Sequence, residues 1–342
     1  MKNTDLFSSP LSYSLRTNLG KLEQQRTDVA AVIIRSMLPF CLFAGAIGGF
    51  LGYQWVKLVL SEFNTSGDFT LLWAGFFGLL VIVLPIVYHF IIRKNRAYQH
   101  YLYESLYFRN YKEEVVAKII AQIDENLTYN ASIGIPENVF RKSGFPLFAN
   151  PATYFSLDSV FGKIGQTNVQ FAEVLAEQSL DMHQYADLFR GVFCVADLHK
   201  KNNCNTIVYP SAFKYFSKLL VGKYSEEETF RQQNYQHIKL EDPEFERYFK
   251  VYGTDQLQSR YLLSPALMAR IVDYKRKTRK NVLFSFKDNK VYFGIYYPYG
   301  KALFKPPLFR SVYNQKSLKN YISTLEFMLD VIKELNLNSR IN

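Results

Sequence analysis

Two uninterrupted stretches without a charged side chain constrain this chain more than anything else in it. The first, SMLPFCLFAGAIGGFLGYQWV from Ser36 to Val56, lies between Arg35 and Lys57. The second, FTLLWAGFFGLLVIVLPIVYHFII from Phe69 to Ile92, lies between Asp68 and Arg93. Each is long enough to cross a hydrocarbon core as a helix, which takes about 20 apolar residues. A buried soluble helix of that length would carry charges along one face, and neither run has any. A long polar stretch precedes the first run, so it does not read as a cleavable signal. The pair predicts a transmembrane hairpin.

Lysine and arginine set the expected orientation. Arg16, Lys21, Arg26 and Arg35 precede the first run, and Arg93, Lys94 and Arg96 follow the second. The connecting SEFNTSGD has none, with Lys57 at its edge. The positive-inside rule then puts both termini in the cytoplasm of a multi-pass protein. Gly45, Gly48, Gly49 and Gly52 form two overlapping GxxxG spacings, suited either to packing within the hairpin or to a homo-oligomer. No Asp, Glu, Lys or Arg lies inside either run, which fits an anchor better than a pore.

The expected organisation is an N-terminal cytoplasmic segment at 1–35, the hairpin at 36–92 with spans 36–56 and 69–92, and a helical stalk at 93–134. A single mixed α+β cytoplasmic domain then fills 135–342. No Gly or Pro interrupts 86–131, and within it Val116, Ile119, Ile120, Ile123 and Leu127 recur at helical spacing, which supports the stalk. A short helix begins at Pro136. FGKIGQTNVQFAEVLAE reads as two strands around Gly165, and LFRGVFCVADL and NTIVYP read as further strands. NVLFSF and KVYFGIYY, joined through Lys287, Asp288, Asn289 and Lys290, form a hairpin signal. Ser264 followed by Pro265 opens a helix, and Leu318, Tyr321, Ile322, Leu325, Leu329 and Ile332 give the last helix one apolar face. Strands and helices alternate without a βαβ rhythm, hence α+β.

Several motifs bear on chemistry. GxxxxGK[ST], GxGxxG after a strand, HExxH and GxSxG are all missing, so no catalytic set is recognised and no cofactor is expected. Cys194, Asp197, His199 and Cys204 match no standard zinc spacing and are expected to be structural. Cysteine occurs only at Cys41, Cys194 and Cys204, without a CxxC pair, which suits a reducing compartment. Glu173 and Glu177 share one strand face about 13 Å apart, and ion pairing is their expected role. Glu241, Asp242, Glu244 and Glu246 read as a solvated face.

Lys275, Arg276, Lys277, Arg279 and Lys280 pack five positive charges into six positions at a helix end. Helix-dipole stabilisation and solubility are one reading, and an anionic-lipid or acidic-partner surface is the other. The net charge of +11 is assigned first to lipid headgroups, with nucleic acid disfavoured.

At FAEVLAEQ, FRGVFCVADLHK, FKVYGTDQLQSRYLLSPALMARI, LFKPPLF and ELNLNSRI the chain resembles the bacterial family known as domain of unknown function 3137 (DUF3137). The resemblance spans most of the chain after Phe90. It implies a bacterial inner-membrane protein and brings no activity or catalytic residue with it. The functional expectation is therefore a membrane-anchored cytoplasmic interaction or scaffold protein, with the bilayer and cytoplasmic proteins as partners. A membrane-bound enzyme of unrecognised type and an accessory subunit of a transport or channel complex are the alternatives.

Overall fold

The computed structural model of the chain describes residues 19–35, single positions between 42 and 57, and residues 105–145, 150–181, 184–198, 204–211, 226–297 and 302–337. The chain divides into two compact units, Met1–Tyr111 with Pro306–Tyr313, and Lys112–Lys305 with Asn314–Asn342.

In the first unit, helix α1 (residues 19–35) buries Leu19, Leu22, Ala30 and Ile33 along one stripe, the spacing an amphipathic helix requires. Helix α2 (Leu106–Tyr111) buries Tyr107, Phe108 and Tyr111. The segment Pro306–Tyr313 is held by hydrogen bonds from this unit's own side chains. Tyr107 donates its hydroxyl to Pro307 O. Arg26 Nη1 donates to Leu308 O at 2.7 Å, and the Val312 N–H donates to Glu23 Oε2 at 2.9 Å. Glu23 also pairs with Arg26 at 2.7 Å, which orients both side chains toward the segment.

The second unit is built on a sheet. It opens with a π-helical turn (Lys112–Val116), α3 (Ala117–Ile123), β1 (Leu127–Asn130) and α4 (Glu137–Lys142). Three long strands follow, β2 (Thr153–Ile164), β3 (Thr167–Asp181) and β4 (Gln184–Asp197), then β5 (Thr206–Pro210). Next come α5 (Glu226–Gln232), β6 (Gln236–Ile238), α6 (Pro243–Tyr248), β7 (Phe249–Gly253), α7 (Gln256–Leu262) and α8 (Pro265–Thr278). The hairpin β8 (Val282–Lys287) and β9 (Lys290–Tyr296) and the long helix α9 (Gln315–Leu337) complete it. The nine strands lie in the order β1-β2-β3-β4-β9-β8-β5-β7-β6. All their pairings are antiparallel.

The register produces rows that run across the whole sheet. One row reads Tyr129, Val160, Phe171, Cys194, Phe293, Phe284, Val208, Val251 and Ile238 from edge to edge. The adjacent row, on the opposite face, includes Phe161, Gln170, Val195, Tyr292, Ser285, Ile207 and Tyr252. Helices α8 and α9 cover the first face. Tyr274 of α8 stacks on Phe327 of α9 with ring centroids 3.9 Å apart, and Tyr321 of α9 meets Phe304, which in turn meets Tyr129 of that face. The second face packs Phe140 of α4 and Phe230 of α5 into a core with Phe189, Phe193, Ile207, Tyr252 and Leu283. With both faces covered, central strands need apolar residues at consecutive positions, which is why β5 and most of β8 and β9 are buried throughout. The outer strands β1 and β6 are very short, which limits edge-to-edge pairing.

Local signals worked as their chemistry demands. Asp288 and Asn289 form the two-residue turn of the β8–β9 hairpin with φ of 53° and 55°, the left-handed pair of a type I′ turn that matches strand twist. Ser264 accepts a hydrogen bond from the Leu267 N–H with Pro265 in the first turn, as expected for the start of α8. The helical run of the expected stalk ends at Ile123, and Leu127–Asn130 pair with β2 instead.

The expected architecture of a two-helix transmembrane hairpin carrying a mixed α+β domain is corrected. Among the described residues no helix is long and apolar enough to cross a membrane, and the structure is a nine-stranded antiparallel sheet with helices. The expected span 69–92 lies outside the described residues, and of 36–56 only separate positions are described. Placement as a multi-pass inner-membrane protein with cytoplasmic termini is corrected on the same finding. The physical reason is that lack of charge measures only aversion to water, whereas a span also needs an unbroken helix. The long described helices do carry charges: α1 has Glu23, Arg26 and Asp28, and α9 has Glu326, Asp330, Lys333 and Glu334.

Candidate functional site

The strongest concentration of buried charge gathers at the β1–β2–β3 end of the sheet. Between Leu157 and Val160 the register of β2 against β3 shifts, so Asp158 and Ser159 together face Ala172. Asp158 takes the left-handed conformation at this bulge, φ 57°, which a short polar side chain tolerates. Its neighbour Ser159 hydrogen-bonds Gln170 on the second face, while Asp158 meets Tyr129 on the first. The bulge thereby turns a carboxylate into the interior.

Lys112, the first residue of the π-helical turn, meets that carboxylate with Nζ 2.7 Å from Oδ1 and 2.8 Å from Oδ2. Tyr129 donates its hydroxyl to Oδ1 at 2.5 Å. Both members of the ion pair are nearly sealed, the side chains being 10% and 4% exposed. Across the strand pair, Glu173 lies opposite Leu157 on the same face. Its Oε1 accepts the Phe304 N–H at 2.7 Å. Two carboxyl groups thus share one lysine. Asp158 holds the ion pair directly. Burial, then the charge of Asp158, pushes the Glu173 carboxyl up to about 7, against the opposing pull of the Phe304 N–H, Lys112 and the Leu303 N–H. Burial raises Asp158 as well, against Lys112 and Tyr129. Burial and the charge of Asp158 hold the Tyr129 phenol well above its ordinary range, so it stays a donor. Because the two carboxyls interact, they titrate as a pair.

On the opposite face of the sheet a shallow groove of about 440 Å³ is lined by Phe161, Lys163, Gln170, Val195, Asp197 and Lys290, with Asn168 beside them. These residues occupy two rows. Phe161, Gln170 and Val195 form the floor. Lys163 pairs with Asn168, and Asp197 pairs with Lys290, which pairs with Lys287. Asp197 is held between Lys290 Nζ and Asn168 Nδ2, both at 2.7 Å. Lys163 is exposed, Lys287 and Lys290 half-buried.

The residues singled out in the sequence scatter. Cys194 is buried on the first face and Asp197 lies on the second, three residues away on a strand; Cys204 is buried 3.6 Å from Thr206 Oγ1, and His199 lies outside the described residues. Among the described residues no group of His, Cys, Asp and Glu could hold a metal ion. Glu177 does meet a cation, Arg190 at 3.9 Å, and accepts from Thr153, but Glu173 takes up the backbone role described above. In the acidic stretch, Asp242 caps α6, Glu246 accepts the Leu240 N–H, and Glu244 pairs with Arg276.

The basic run divides among separate tasks. Lys275 donates to Asn281 at 2.5 Å, and burial lowers its proton affinity. Arg276 pairs with Glu244 at 3.2 Å and Lys277 with Asp273 at 2.6 Å. Arg279 caps α8 in the left-handed conformation, and Lys280 donates to Tyr297 and Thr324 while sitting 4.2 Å from the Tyr297 ring centre. Gly48 lies outside the described residues; among the described residues nothing comes within 4 Å of a Cβ placed at Gly45 or Gly49.

Sequence reasoning missed both the charged cluster and the groove. Lys112, Tyr129 and Asp158 come from three elements whose meeting depends on the bulge, and only the acidic position Glu173, one of two glutamates in FAEVLAE, gave a signal.

A comparison with curated proteins gives no match. Among solved structures the chain is similar to the crystal structure of the mycobacterial trehalose monomycolate transport factor A, TtfA, at 10% identity. That alignment covers 63% of this chain and 92% of the other with a TM-score of 0.34, a likeness too slight to carry an argument. The model of a family described as protein of unknown function (DUF3137) matches residues 187–337. The matched stretch runs from β4 to α9, so it contains Val195, Asp197, Lys290 and Phe304 but leaves Lys112, Asp158 and Glu173 outside, as well as the motif FAEVLAEQ. Through residues 187–337 the chain is similar to the DUF3137 family.

Proposed function

We propose that the sheet unit is a protein-interaction module that takes an extended, acidic segment of a partner protein along the groove over β2, β3, β4 and β9. The observation that carries this reading is the separation of chemistry from shape. Catalysis needs perturbed titratable groups lining a concave site. Here the raised carboxyl pair belongs to the face covered by α9, while the groove opens on the other face. Lys163, Lys287 and Lys290 stand in one row against the single carboxylate Asp197, and the whole chain carries +11. Phe161 and Val195 supply apolar floor beneath them. An anionic, extended segment complements both features, and long-range attraction from the net charge would speed its encounter.

The test is fluorescence anisotropy of a labelled glutamate-rich peptide against the full chain. Reversing Lys163→Glu and Lys290→Glu together should weaken binding about tenfold or more, with the wild-type affinity falling as salt is raised. Lys277→Glu on α8 should leave binding close to wild type. Equal loss in both variants, or stronger binding to a DNA duplex than to the peptide, would remove the groove as the site.

A further inference from the structure

We propose that Asp197 is an internal placeholder for the acidic partner: in the free protein its carboxylate holds the two donors that a partner carboxylate takes on entering the groove. The inference rests on the groove being the site for an acidic segment, and it names the residue that regulates entry there. Asp197 is the last residue of β4 and stands in the middle of a row across the sheet, Lys163, Asn168, Asp197, Lys290 and Lys287. It is the one anion of that row, among three cations. Its Oδ1 lies 2.7 Å from Lys290 Nζ, and its Oδ2 accepts from Asn168 Nδ2 at 2.7 Å. The donors come from the two neighbouring strands, β9 and β3, and the carboxylate bridges them. Both donors line the groove, and one ammonium with one amide is the set that a carboxylate of a bound segment would use.

The bridge is open enough to be exchanged. The Asp197 and Lys290 side chains are 30% and 43% exposed, and Asn168 is exposed as well. An ion pair this open to water is weak, so a carboxylate arriving from solvent can take the same donors. The Lys112–Asp158 pair is the contrast, sealed at 10% and 4% exposure and therefore fixed. Once displaced, Asp197 stays at the groove and repels the anion that replaced it. A segment with one isolated carboxylate does not offset that repulsion, whereas a run of carboxylates that also engages Lys163 and Lys287 does. Asp197 thereby selects densely acidic segments, an element of specificity that works by opposing weak competitors. The opposite role, a carboxylate that binds a basic residue of the partner, predicts the opposite effect of removing it.

The experiment is fluorescence anisotropy of the labelled glutamate-rich peptide against the full chain, comparing wild type with Asp197→Asn, Asp273→Asn, Lys290→Met and the double variant Asp197→Asn with Lys290→Met. Asp197→Asn keeps the side-chain shape and should bind about three- to tenfold tighter than wild type. Asp273→Asn removes the same charge from an exposed pair with Lys277 on α8 and should stay within about twofold of wild type. The gain from Asp197→Asn should vanish when Lys290 is replaced by methionine, because the placeholder acts through that donor. Thermal melts should confirm that each variant is folded, and Asp197→Ala replaces Asp197→Asn if the latter is not. Binding by Asp197→Asn with wild type silent also supports the placeholder. An equal gain in Asp197→Asn and Asp273→Asn, or weaker binding in Asp197→Asn, overturns it and leaves the groove reading in place. Binding by neither wild type nor Asp197→Asn removes both.

Discussion

Replacing Lys112 by methionine is the sharpest perturbation of the buried cluster. Methionine keeps most of the stem volume and removes only the charge, so packing around the π-helical turn is disturbed little. What is left is Asp158, 3% exposed, with the Tyr129 hydroxyl as its donor and without its cation. Breaking a buried pair from one side costs about 3–5 kcal/mol, because the surviving charge has lost its compensation. In a unit of this size 1 kcal/mol corresponds to about 2–4 °C, so the melting temperature should fall by ~6–20 °C. Urea denaturation at pH 7.5 should register the same loss as a lower midpoint at unchanged slope. Adding Asp158→Asn, which keeps the left-handed preference and the tyrosine contact while removing the orphaned charge, should recover most of it. The loss should also shrink at pH 5, where both carboxyls protonate more readily once the lysine is gone. A single-variant loss below about 1 kcal/mol, or a double variant no better than the single, would refute this account of the cluster.

Four further substitutions test the frame that positions it. A Cβ at Gly191 would stand 1.9 Å from Ile295 O, so Gly191→Ala must push β4 from β9 and should cost at least ~1–3 kcal/mol in urea denaturation. Ser264→Ala should cost about 1 kcal/mol by deleting the cap on α8, measured the same way. Within the basic run the signs should split: Arg279→Gly relieves a residue at φ 57° and should stabilise by up to ~1 kcal/mol, whereas Lys280→Met, losing two hydrogen bonds and its aromatic contact, should destabilise by about 1–2 kcal/mol.

Signals confined to a few neighbouring residues were legible in the sequence. Asp288-Asn289 fixed a hairpin, Ser264-Pro265 fixed a helix start, and the apolar stripe of α9 fixed which side it buries at Tyr321, Leu325, Leu329 and Ile332. Apolar runs were less decisive, because VLFSF in β8 and the stretch 36–56 both lack charge, and absence of charge does not say what surrounds a side chain. The basic run divides for a related reason. Its charges share a stretch of sequence, but helical rotation and the left-handed cap at Arg279 send Lys275, Arg276 and Lys280 to different partners. The cluster itself was out of reach, since Lys112, Tyr129, Asp158 and Glu173 meet only through strand register and one bulge. Lys163, Asn168, Asp197 and Lys290 form a row for the same reason, across four strands.

The interaction reading is tested most directly by mapping where an acidic segment binds. Methyl and amide chemical shifts of the full chain would be followed during titration with the glutamate-rich peptide. The account predicts saturable shifts centred on Val169, Val195, Ala196 and Lys290, the groove lining, with Ile271 and Val272 of α8 unmoved. Shifts centred on α8 and the run from Lys275 to Lys280, with the groove silent, would contradict it.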